Sequence, residues 1–169
     1  MKLAGALLCV AASALFGVQR IRGERKKLRA YRCLADTLRI IKSELCARLL
    51  PLPELTELAE KVSEDCVKEF FHKVSGGFEE IGEKDFDRIW DEAAAECLPW
   101  LTEEQRRRLC FPGSVLGKSI SETQAEALES SAAFFYGEAE KLRERMPAAG
   151  KLTVGLSVCA GVLAVIAFY

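Results

Sequence analysis

The chain has a single histidine in 169 residues and few of the other groupings from which catalysis is built. Its seven cysteines, at 9, 33, 46, 66, 97, 110 and 159, are odd in number and contain no CxxC pair, which fits neither a zinc site nor a disulfide framework. They read instead as small buried hydrophobes kept reduced. No phosphate-binding glycine loop is read in the chain; the nearest glycine pair, Gly76-Gly77, is followed by Phe78, Glu79 and Glu80, which would repel phosphate. Nucleophile elbows and Cys/His pairs at recognisable spacing are missing, and His72 has no companion at metal-ligand spacing. The adjacent carboxylates Glu79 with Glu80 and Glu103 with Glu104 would point apart on a helix, so they form no acid/base pair. An enzyme is not expected, nor a metal or cofactor. Alternating apolar and polar runs bounded by turn residues are also absent, so no strand is assigned.

Charge is missing from two stretches. Leu152 to Tyr169 holds eighteen residues without a charge, and Leu3 to Val18 is apolar or small between Lys2 and Arg20. Both read as membrane-spanning helices, residues 1–19 and 151–169, with the first short for a hydrocarbon core of about 30 Å. A signal peptide cleaved near Ala12-Ser13-Ala14 is the alternative for the first. Against cleavage stand Arg20, Arg22, Arg25, Lys26, Lys27, Arg29 and Arg32, with only Glu24 among them, since such a run resists translocation. Lys141, Arg143, Arg145 and Lys151 flank the last span. The same positive-inside argument places residues 20–150 in the cytoplasm and both termini outside. Arg20, Arg22, Arg25, Lys26, Lys27 and Arg29 are then a lipid-facing basic flank. Nucleic acid is not expected, because Tyr31 is the one aromatic near that run. Small residues at Gly5, Cys9, Ser13 and Gly17, and again at Thr153, Ser157 and Gly161, could pair membrane helices, and a homo-oligomer is possible.

Between the spans the spacing predicts helices only. Leu28, Tyr31, Leu34, Leu38, Ile41 and Leu45 make one amphipathic face continuing the first span. Pro51 and Pro53 stop that helix, and Pro53 can start the next, which uses Leu55, Leu58, Ala59 and Val62. A third carries Val67, Phe70, Phe71 and Val74 up to Gly76-Gly77, and a fourth runs from about Lys84 to Leu98 before Pro99. Thr102 to Gln105 is a T-x-x-Q capping box for a short helix ending before Pro112 and Gly113. Ser121 to Gln124 is a second box, opening the longest helix along Ala125, Leu128, Ala132, Phe135, Ala139 and Leu142, which Pro147 to Gly150 breaks. From Glu54 to Glu104 sixteen acidic residues stand against five basic, whereas Arg20 to Arg48 has ten basic against three acidic. The fold class is all-α: a cytoplasmic helical bundle between two transmembrane helices.

Several stretches in this order carry a resemblance. They are the Arg/Lys-rich exit from the first span, Pro51-Leu52-Pro53-Glu54, Trp90, Leu116-Gly117-Lys118-Ser119 followed by Gln124, and the helix through Glu138, Ala139 and Lys141 into the last span. Over nearly its whole length the chain resembles the stage III sporulation protein AB family, itself similar to the F-type platform proteins of type II secretion and type IV pilus systems. The chain departs from the family in having Ile120 after Ser119, where an acidic residue is usual, and Leu50 before the prolines, where threonine is frequent. The resemblance implies a non-enzymatic platform in the channel joining mother cell and forespore, docking the stage III sporulation AA ATPase beside the AC to AH proteins. A membrane-anchored sensor or scaffold without a motor is the alternative. Irregular helix junctions commonly carry contacts, so Pro51, Pro53, Glu54, Gly117, Ser119 and Gln124 are the candidate partner-binding residues.

Overall fold

Two prolines bracketing Leu52 set the first corner of the chain. In the computed structural model the backbone is described over residues 2–48, 50–118 and 120–168, and side chains over 19, 21–48, 50–118 and 120–146. Helix α1 spans Lys2–Arg48, α2 Leu52–Val62, α3 Asp65–Gly76, α4 Phe86–Cys97, α5 Glu103–Val115 and α6 Ser121–Phe168, with a 3-10 turn at Gly77–Glu80. Among the described residues there is no strand, only an isolated bridge between Ile81 and Lys84. The all-helical reading therefore stands. Among them, too, no helix is long and apolar enough to cross a membrane. The spans read at 1–19 and 151–169 lie outside the residues whose side chains are described, apart from Gln19.

The chain divides into two compact units, Ala30–Ala139 and the pair of segments Met1–Arg29 with Glu140–Tyr169. Within Ala30–Ala139, α1 and α6 run antiparallel. Tyr31 stacks on Phe135 at 6.0 Å, the Tyr136 hydroxyl donates to Asp36, and Arg39 and Lys42 both reach Glu129, at 3.3 and 3.0 Å. The face predicted on α1 is buried from Tyr31 to Leu45, and Leu128, Ala132, Phe135 and Ala139 of α6 are buried as well.

The remaining helices close a core around Trp90, which is fully buried. Phe70, Phe71 and Phe86 surround its ring at 5.1 to 5.8 Å, at edge-on or tilted angles that suit aromatic quadrupoles. Its indole Nε1 donates to the Leu109 carbonyl at 2.9 Å. Gly113 lies so close that an added Cβ would stand 2.6 Å from Trp90 Cγ.

Several boundaries differ from those read in the sequence. Helix α5 does not end before Pro112 but carries it, buried, to Val115. A proline inside a helix strips the carbonyl four residues earlier of its donor. That carbonyl, Arg108 O, accepts instead from Ser131 Oγ of α6 at 2.7 Å. Helix α6 likewise runs on through Pro147 to Phe168; one lost bond, a cost of about 3 kcal/mol, does not outweigh the ladder on both sides. On α2, Val62 is 40% exposed while Thr56 is buried, its hydroxyl donating to the Pro53 carbonyl at 2.9 Å. The cysteines are less buried than expected, Cys46 being exposed and Cys33, Cys66, Cys97 and Cys110 half-buried.

The first capping box forms as read. Thr102 Oγ1 accepts from Gln105 N at 3.3 Å and Gln105 Oε1 from Thr102 N at 3.0 Å. Gln105 also accepts from the Tyr31 hydroxyl and donates to Glu138, at 3.2 and 2.7 Å, tying α1, α5 and α6 together. The second box slides by a residue. Gln124 N donates to the Ile120 carbonyl at 3.2 Å, so Ile120 holds the cap position and Ser121 is already helical.

Candidate functional site

Two sequence stretches singled out as junctions meet at one end of Ala30–Ala139, Leu52 of the first against Gly117 of the second. Pro51 is extended, with φ −66° and ψ 153°, as proline demands at the entrance of a helix. Its carbonyl takes the first α2 bond, from Leu55 N at 3.1 Å. On the other side α5 stops at Leu116, which is buried, and Gly117 turns the chain at φ +76°. A side chain there would be strained, and it would also collide, because a Cβ on Gly117 would sit 2.7 Å from Leu52 Cδ1. Glycine is thus required twice over. Leu52, between the prolines, is the residue that the sequence reading passed over.

Lys118 fastens the same turn to α4. Its ammonium lies 2.9 Å from Asp87 Oδ2, and the hydrogen bond between them raises the lysine and lowers the aspartate from their ordinary pKa values. Gly113, Gly117, Lys118 and Ser119 come within one residue of phosphate-loop spacing, which the sequence reading did not remark. A phosphate loop joins a strand to a helix, whereas this turn follows α5 and its lysine is held by a carboxylate.

Pro51, Pro53, Glu54, Gly117 and Ile120 are all exposed, Ile120 at 69%. Together with half-buried Leu52 they give this end an apolar surface beside a carboxylate. Gln124 does not belong to it, being buried on α6, and Ser119 lies outside the described residues. Of the basic flank, Arg22, Arg25, Lys26 and Arg29 are exposed and Lys27 half-buried on α1, within the other unit; the Arg20 side chain lies outside the described residues.

An open cleft between α3 and α4 is the other concave feature, lined by His72, Lys73, Lys84, Glu80, Glu92 and Glu96 among others. Its charges answer one another. Lys73 pairs with Glu96, Lys84 with Glu80 and Glu92 at 2.8 and 2.9 Å, and His72 Nδ1 lies 3.0 Å from Glu60. Among the described residues no cluster of His, Cys, Asp and Glu could hold a metal ion.

No curated protein and no solved structure matches the chain. The family model of stage III sporulation protein AB matches residues 2–169, and the chain belongs to that family.

Proposed function

We propose that this chain, whose family ties it to sporulation, is a non-enzymatic membrane platform of the channel or secretion-like complex between mother cell and forespore. Residues 1–19 and 151–169 cross the mother-cell membrane with both termini outside, and residues 20–150 form the cytoplasmic helical domain. The Arg20 to Arg29 flank rests on anionic lipid. The end formed by Pro51, Pro53, Glu54, Gly117 and Ile120 docks a cytosolic motor of the stage III sporulation AA type, with other stage III membrane proteins as neighbours. No catalytic step belongs to the chain itself.

The observation that carries this reading is the meeting of the two junctions through Leu52 and Gly117. Segments 65 residues apart in sequence, counted from Leu52 to Gly117, build one exposed surface with an apolar centre, as docking surfaces have. Co-purification of the AA-type ATPase with the detergent-solubilised full chain tests it. Glu54→Lys combined with Ile120→Arg changes only exposed side chains and is expected to abolish retention of the ATPase. Failure of the unaltered chain to retain the ATPase would sink the proposal.

A further inference from the structure

Within the acidic unit Ala30–Ala139, one helix face stands out in sign. Arg107 and Arg108 of α5 are exposed and, among the described residues, neither has an ion pair, whereas Arg39, Lys42, Lys73, Lys84, Arg88 and Lys118 are each matched internally. Beside them Phe111 is 48% exposed, and Arg108 lies over the Phe134 ring of α6 at 5.4 Å. An exposed phenylalanine next to arginines without an ion pair among the described residues is the composition of an interface centre.

The same unit carries the complement. At the α2–α3 turn Glu64, Asp65 and Glu69 are exposed and without ion pairs among the described residues, with Lys68 the one base among them. The turn and Gln105, two residues before Arg107, both touch α1. Glu64 N–H donates to Cys33 Sγ at 3.3 Å, and Tyr31 donates to Gln105 at 3.2 Å, so α1 residues only two apart mark the two faces.

We propose that copies of this chain associate side by side, the Arg107, Arg108 and Phe111 face of one seating on the Glu64, Asp65 and Glu69 turn of the next. The contact is heterologous, joining two different patches, so it builds rings or rows rather than a closed pair. The proposal rests on the membrane reading, because two copies anchored in one bilayer are held side by side. The contact is electrostatic and salt-sensitive.

Light scattering of the full chain in detergent at low salt is expected to give protein masses that are multiples of 18.7 kDa, falling to the single-copy mass at high salt. Arg107→Glu with Arg108→Glu, and separately Glu64→Arg with Asp65→Arg, are each expected to leave only single copies. Mixing the two variants restores the assembly, because each reversed face then meets an opposite one; this restoration also shows that both variants fold. A single-copy mass for the unaltered chain at low salt, assembly indifferent to either reversal, or no restoration on mixing would overturn the proposal. Alkaline carbonate extraction of the chain from membranes tests the anchoring separately, since release would refute the spans while leaving the detergent masses to decide association.

Discussion

Isoleucine has no side-chain acceptor, so Ile120 cannot itself offer the first N–H groups of α6 the partner that Asp, Ser or Asn would supply at a cap. Its exposure leaves room for a polar replacement. Ile120→Asp is expected to stabilise the protein by about 1 kcal/mol, measured by urea unfolding. Two glycines give opposite expectations for the same change. Gly113→Ala pushes a methyl into Trp90 and should destabilise by about 1–3 kcal/mol. Gly137, exposed on α6 with nothing within 4 Å of a built Cβ, should gain up to about 1 kcal/mol as alanine. Equal effects at the two glycines in the same unfolding experiment would contradict the packing described. Sequence alone could mark both residues as helix-breaking. It could not tell which one has an indole against it, since that depends on how α4 meets α5.

At the scale of the element, α5 shows why proline was read as a terminator. Pattern reasoning sees the lost N–H but not Ser131, 19 residues further along the sequence, which donates to the freed carbonyl. The two residues should therefore be coupled. Ser131→Ala alone is expected to cost about 1 kcal/mol, and the cost should shrink in a Pro112→Ala background, where residue 112 supplies its own N–H to Arg108. A double-mutant cycle with additive losses would contradict that account. The helix faces were legible because apolar side chains at three- and four-residue steps bury together whatever their neighbours are. Phe70, Phe71 and Phe135 were read on apolar faces and all are fully buried. The junction site was half legible: its prolines and glycine advertise turns, while the meeting of Leu52 with Gly117 is a long-range contact without local signature. Gln124 was named because it follows a helix junction, and its burial on α6 has no local signature for the related reason that it depends on what packs there.

Across the whole molecule charge is sorted by unit. The end segments carry eleven basic against three acidic residues, and Ala30–Ala139 carries thirteen against twenty-two. Surface pairs inside the acidic unit lower the carboxyls of Asp87, Glu92 and Glu129, chiefly through hydrogen bonds from Lys118, Lys84 and Lys42. A lowered carboxylate contributes stability that is present above its unfolded value, near 3.8 for Asp87 and 4.5 for the two glutamates, and lost as pH falls through the folded value. Tyr136 runs the other way. Its hydrogen bond to Asp36 raises the phenol above its ordinary 10.0, so that contribution is complete below pH 10.0 and disappears as pH rises through the raised value. Thermal melts of the full chain should accordingly fall off at both extremes of pH, and Tyr136→Phe should remove part of the alkaline loss only; an unchanged alkaline limb in that variant would contradict the assignment.

The uneven exposure of the cysteines has a practical sequel. Cys110 is half-buried, and burial together with its hydrogen bond to Asp91 pushes its thiol well above the ordinary value of 9.0, leaving little thiolate to react near neutral pH. Cys46 is the exposed thiol among the described cysteines, five residues before Pro51. A maleimide dye should therefore settle there first, giving the native chain an optical reporter within two helical turns of the junction surface, with no engineered residue needed to watch a partner arrive.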